Sequence, residues 1–246
     1  MATTAIVGGT GLVGSSIVNI LLSSPNVAHI DFLARRPPST PVTKDLIESH
    51  PSKFASYIST DPPSSWASHL RSTTPAPEIF FSTLATTRAT AGSLAAQRAL
   101  EHDANVDLAR AAREAGTKVY VLVSSAGADP SSKLPYMKLK GDIEKSILDL
   151  NFEKTIILRP GFLSGQREER RIIEGMVGVI GNAAGWLSKP WLKDWWSNDA
   201  VEVARASVSA GLAALKGTEP DGQQKVRILA GKDIVRLGRT EWKEAS

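Results

Sequence analysis

The 246-residue chain contains no cysteine. Disulfides, thiolate metal sites and cysteine nucleophiles are therefore excluded together, and the absence suits a reducing compartment. Histidine is scarce: His29, His50, His69 and His102 stand apart without ligand-like spacing, so no metal is expected. Long apolar runs are missing as well. The longest, "MVGVIGNAAGWL" from Met176 to Leu187, is glycine-rich and short of the ~20 residues that a membrane span requires. Nor is there a block of one charge. Twenty-nine Lys and Arg against 25 Asp and Glu leave a net +4 spread along the chain, the pattern of a solvated surface, and no nucleic-acid partner is expected. No signal peptide or basic amphipathic presequence is expected ahead of Thr3, because the first apolar residues already read as a strand.

What is present is enough apolar residue, 42%, for a sizeable core. Short runs rich in β-branched residues alternate with helical patterns, as in a parallel sheet covered on both faces. Strands are expected over Thr3 to Val7, Ala28 to Ala34, Ala55 to Ser59, Glu78 to Leu84, Val119 to Ser124, Lys154 to Leu158 and Lys225 to Ala230. Helices are expected over Leu12 to Ser23, Trp66 to Arg71, Gly92 to Ala115, Tyr136 to Leu150, Arg171 to Ile180 and Ala200 to Leu215. Gly116 suits a left-handed helix end. The proline- and serine-rich segment Pro37 to Pro77 reads as irregular connection around one weak strand and one short helix. One domain covers 1–246, a core over 1–160 and a C-terminal, substrate-side portion over 161–246.

Between the first strand and the first helix lies "GGTGLVG". Gly8 suits a tight turn, Gly11 a close approach of backbone to a pyrophosphate, and Gly14 close packing of helix on strand. No side chain in this loop is charged, so an anion would be held by backbone N–H groups and the helix dipole. Ser15 stands where a P-loop would need lysine, which disfavours nucleoside triphosphate hydrolysis. The setting is that of a dinucleotide-binding α/β fold, a Rossmann-like doubly wound parallel sheet. About 20 residues on, at the end of the second strand, an acidic residue marks NAD and arginine marks NADP. The strand here ends "DFLARRPP", with Asp31 too early and Arg35 and Arg36 at the deciding place, so NADP(H) is expected.

The second constellation is "VLVSSAGADPSSKLPYMKLKGDIEKSI". Tyr136 and Lys140 share one helix face. Tyrosine titrates near 10, and an ammonium beside it favours the phenolate, which makes the pair a usable acid/base for carbonyl–alcohol chemistry. Ser124 and Ser125, at the preceding strand end, are candidates to orient the reacting oxygen. Ser125 is favoured because it is nearer the loop.

With these residues in view the chain resembles the short-chain dehydrogenase/reductase superfamily in its atypical or extended branch. Through "FFSTLATTRATAG", "SSAGADPSS", "PYMKLKGDIE" and "ILRPGFLSGQREERR" it is similar to the Tat-interacting-protein type of oxidoreductase and, more narrowly, to the fungal "found in mitochondrial proteome" family. The resemblance implies NADPH binding and a peripheral place on the mitochondrial outer membrane. It implies that Thr10, Gly11, Leu12 and Val13 surround the pyrophosphate and that Arg35 and Arg36 meet the 2′-phosphate. Leu84 and Ala85 would lie beside the adenosine and ribose, Tyr136 and Lys140 at the nicotinamide ribose and the reaction centre. Leu163 would lie near the nicotinamide and Arg167 near cofactor or substrate. One departure is Ala85, where related proteins usually carry glycine.

Four tryptophans, Trp186, Trp191, Trp195 and Trp196, cluster with Lys189 and Lys193. Such a cluster suits a substrate pocket, a membrane surface or a subunit contact. The expected partner is a small carbonyl or alcohol substrate. The alternative is a cofactor-sensing protein that binds NADPH without turnover.

Overall fold

Alternate residues of each apolar run are buried on opposite faces of one sheet. In β1 (Ala2–Val7), Ile6 joins one core cluster while Ala5 and Val7 join the other. In β5 (Val119–Val123), Val119 and Val121 face one way, Tyr120 and Leu122 the other. Burial on both faces is what a parallel sheet between two helix layers demands. The computed structural model describes residues 1–86, 91–164, 197–219 and 224–243. The expected helix over 171–180, Arg167 and the tryptophan cluster lie outside them.

The remaining strands are β2 (Val27–Ala34), β3 (Phe54–Ile58), β4 (Ile79–Ser82), β6 (Lys154–Arg159), β7 (Phe162–Ser164), β8 (Ser197–Asp199) and β9 (Val226–Ala230). Among the described residues, seven of the nine strands form a sheet of order β3-β2-β1-β4-β5-β6-β9, every pair parallel. All their C-terminal ends therefore lie on one edge, and the chain reverses its winding between β1 and β4, where such sheets form a ligand crevice. The sheet is the expected Rossmann-like α/β fold. β7 and β8, which the sequence did not announce, pair separately.

The helices are α1 (Leu12–Ser23), α2 (Pro41–Ser49), α3 (Ala67–Ser72), α4 (Leu94–Arg98), α5 (Ala104–Glu114), α6 (Pro135–Asp149), α7 (Ala200–Lys216) and α8 (Gly231–Val235). Ile17 and Leu21 of α1 and Val203 of α7 pack on one face of the sheet. Leu70 of α3, Leu108 of α5 and Ile143 and Ile147 of α6 pack on the other.

Two expectations need correction. The segment from Pro37 to Pro77 contains a helix, α2, besides the strand and the short helix. Its start is a local signal: Pro41 takes the first helical position and the Thr40 Oγ1 accepts from the Thr43 N–H at 3.2 Å. The single helix expected over Gly92 to Ala115 is two helices joined by a π-helical turn, Ala99–Asp103, which carries a fully buried Glu101. Gly116 ends α5 at φ +100, as its position suggested.

Candidate active site

The glycine loop is packed so tightly that three of its glycines admit no side chain. Gly8 lies at φ +79, and a Cβ there would stand 2.6 Å from the Thr83 carbonyl. A Cβ on Gly14 would meet the Gly8 carbonyl oxygen at 2.2 Å, and one on Gly9 would meet the Phe32 ring at 2.4 Å. Gly11 differs: its nearest obstacle is the Gly8 oxygen at 3.2 Å, and it is the N-cap of α1 with no side-chain cap. The first-turn N–H groups of Leu12, Val13 and Gly14 together with the helix dipole are the donor set that a diphosphate requires, and the exposed Gly11 leaves the approach unblocked. A dinucleotide pyrophosphate fits this cradle. Val13 is buried and Leu12 half-buried against the core, so these two can serve only through their backbone. Thr10 is half-buried at the turn.

Arg35 and Arg36 follow β2 at the same sheet edge, both exposed. Asp31 is instead buried within the strand, beside His29 at 3.4 Å. After β4, Thr83 donates its N–H to the Val7 carbonyl, which ties this strand end to the glycine loop. Leu84 follows half-buried and Ala85 exposed.

Pro135 and Tyr136 open α6. Tyr136 is 40% exposed, and the Lys140 Nζ lies 5.7 Å from its ring centroid, so tyrosine and lysine share a face. Lys140 is buried and its ammonium donates to the Glu101 Oε2 at 2.7 Å. Burial pushes this amine toward the neutral form, but the charge and hydrogen bond of Glu101 together with the nearby Tyr136 and Glu144 outweigh it and hold the lysine above its ordinary range.

The serines are held differently from one another. Ser124 is buried and its Oγ donates to the Glu144 Oε1 at 2.5 Å; the Arg159 guanidinium grips the same carboxylate through Nε at 3.0 Å and Nη2 at 2.5 Å. Ser125 is half-buried, and among the described residues its hydroxyl reaches only the neighbouring Ala126 carbonyl at 3.3 Å. Leu163 of β7 packs half-buried against the sheet core.

Glu101 and Glu144 were not anticipated. Glu144 had a signal, since 136, 140 and 144 recur every four residues along one helix face. Glu101 had none, because the π turn breaks the helical phase on which such patterns rest. No group of three or more potential metal ligands comes together among the described residues. A groove of about 760 Å3 between α1 and α7 is lined by none of the candidate catalytic or cofactor residues.

No family model matches the chain. Among named relatives, "Protein FMP52, mitochondrial" of Coccidioides immitis is 98% identical over 246 residues and is covered, like this chain, in full. "Protein fmp52-1, mitochondrial" of Aspergillus oryzae is 48% identical over 238 residues, covering 97% of this chain and 98% of that one. The chain belongs to the FMP52 family. The Neurospora crassa member is 39% identical, covering 98% of this chain and 97% of its own. Members of the family are named mitochondrial; among the described residues of this chain no helix is long and apolar enough to cross a membrane.

Solved structures share the fold at much lower identity. A UDP-Glc/GlcNAc 4-epimerase from Campylobacter jejuni superposes with a TM-score of 0.68 at 15% identity, covering 96% of this chain and 82% of that one. A short chain dehydrogenase/reductase from Saccharomyces cerevisiae gives 0.60 at 16%, covering 97% and 100%. MoeE5, solved with UDP-glucose and NAD, gives 0.60 at 14%, covering 93% and 75%.

Proposed function

We propose that this FMP52-family chain is an NADPH-dependent oxidoreductase of the short-chain dehydrogenase/reductase type, acting on a carbonyl or alcohol substrate at the surface of the mitochondrial outer membrane. The observation that carries the reading is the placement of Tyr136 and Lys140 on one face of α6, after the same sheet edge that bears the glycine loop. A nicotinamide dinucleotide bound there supplies or accepts hydride. Tyr136 gives a proton to the developing alkoxide, or takes one from an alcohol, and its exposure leaves the phenol within a substrate's reach. Lys140 keeps a fixed positive charge beside that phenol and meets the nicotinamide ribose. Ser125 orients the reacting oxygen, because the Ser124 proton is given to Glu144. Arg35 and Arg36 have no ion pair or hydrogen bond among the described residues, which supports a role in gripping the 2′-phosphate of NADPH. By the family resemblance Leu84 and Ala85 would flank the adenosine side and Leu163 would lie toward the nicotinamide; Arg167, which the same resemblance assigns to cofactor or substrate, lies outside the described residues. The outer-membrane placement rests on the family resemblance and on the relatives' mitochondrial names.

The test is a screen of carbonyl compounds for NADPH consumption, with the Tyr136→Phe variant alongside. Turnover is expected to fall by about 10²-fold or more in the variant while NADPH still binds. Full cellular function from a variant that binds NADPH would replace the enzyme by a cofactor-sensing protein.

A further inference from the structure

We propose that Glu101 is a positioning residue that joins the Lys140 ammonium to the loop after β4 through a single carboxylate. The proposal rests on the reading of Tyr136 and Lys140 given above. Glu101 is fully buried in the π-helical turn. Its Oε2 accepts from the Lys140 Nζ at 2.7 Å, and its Oε1 accepts from the Thr86 N–H and the Gln97 Nε2, each at 3.0 Å. Gln97 also donates to the Thr86 carbonyl at 3.2 Å, so both backbone groups of Thr86 are held. One helical turn further on, Asn105 donates to the Glu101 carbonyl and, at 3.3 Å, to the Leu84 carbonyl, while Ser82 donates to the Asn105 Oδ1. Three buried polar side chains, Gln97, Glu101 and Asn105, thus fasten residues 84 to 86 from below, and one of them also carries the lysine.

A buried ion pair loses hydration from both partners, and a well-packed apolar pair in its place is often as stable or more so, which makes stability a weak account of this arrangement. What the ion pair provides is a counter-charge for a lysine whose burial favours the neutral form, at a fixed distance from the loop. The charged and titratable groups facing Lys140 are Glu101 from the π turn and Tyr136 and Glu144 from its own helix, with Arg159 of β6 behind Glu144. Arg98 and His102 meet α6 at Asp142 and Ser146 instead.

The decisive measurement compares wild type with Glu101→Gln in the full chain. The Lys140 Nζ titration is followed by ¹⁵N NMR without cofactor, and NADPH binding is followed by calorimetry at pH 7 and pH 9. In Glu101→Gln the Lys140 midpoint is expected to fall by about two units or more, and NADPH affinity to weaken about threefold or more further at pH 9 than at pH 7. A folded Glu101→Gln protein with unchanged titration and affinity would reduce Glu101 to a structural residue. Glu101→Asp is the second variant: it keeps the charge but shortens the reach, so the midpoint should recover while affinity stays several-fold weak. Wild-type affinity in Glu101→Asp would overturn the link to Thr86 even if Glu101→Gln did not fold. Should wild type bind no dinucleotide, the proposed function fails, and the Lys140 titration still decides the role of Glu101.

Discussion

The Ser124 hydroxyl and the Glu144 carboxylate are joined by a 2.5 Å hydrogen bond in which the serine is the donor. A hydroxyl has one proton, so a serine bonded in this way offers a substrate only its lone pairs. Ser124→Ala should therefore cost stability, about 1–3 kcal/mol for a buried charged acceptor that loses a donor, and leave kcat within about threefold of wild type. Ser125→Ala should do the reverse, lowering kcat by about tenfold or more with little change in melting temperature. Steady-state kinetics and thermal melts on both variants decide it, and the opposite pattern assigns the reacting oxygen to Ser124.

The glycine loop separates folding from binding at two positions. Gly14→Ala places a methyl 2.2 Å from the Gly8 carbonyl oxygen, a backbone atom with no room to yield, and should destabilise the fold by about 3 kcal/mol or more. Gly11→Ala meets the same oxygen at 3.2 Å, a tight contact relieved by a shift of a few tenths of an ångström, and should lose much less stability than Gly14→Ala. Its methyl stands at the mouth of the cradle, so NADPH affinity should fall about tenfold or more. Equal binding by wild type and Gly11→Ala would remove the pyrophosphate from this loop.

Cofactor choice is tested at the end of β2. Replacing Arg35 and Arg36 together by serine should raise the Kd for NADPH by about 10²-fold, roughly tenfold for each guanidinium that no longer bonds the phosphate, and leave that for NADH within about twofold. Parallel weakening of both cofactors would show that the arginines do not read the 2′-phosphate.

Asp31 supplies a pH-dependent prediction. It is 6% exposed, its Oδ2 has no hydrogen-bond partner among the described residues, and burial raises its pKa against the lowering pull of His29. The folded carboxyl therefore binds its proton more tightly than the unfolded one, whose ordinary value is 3.8. The resulting stability is fully present below that value and is lost as pH rises through the folded midpoint. Asp31→Asn removes the buried charge and should melt higher than wild type at pH 7, the difference disappearing near about pH 3–4. A wild type more stable than the variant at pH 7 would contradict this sign.

Much of this molecule is written in local patterns. The alternation within each apolar run and the helical spacing between runs announce the parallel α/β fold, because burial on two faces and on one helix stripe leaves periods of two and 3.6 in the chain. "GGTGLVG" and the Tyr136–Lys140 spacing are equally local, since a turn and a helix face involve residues a few positions apart. The helix α2 was legible too, in Thr40 and Pro41, but its proline- and serine-rich surroundings hid it. The partners of the reactive groups were not legible. Glu101 is 39 residues from Lys140, and Glu144 is 20 from Ser124. By itself the sequence determined which side chains stand at the strand ends. Only the tertiary structure decided that Lys140 stays charged and that Ser124 spends its proton on a carboxylate, because a contact between distant segments depends on how helix and sheet layers pack and leaves no period in the chain.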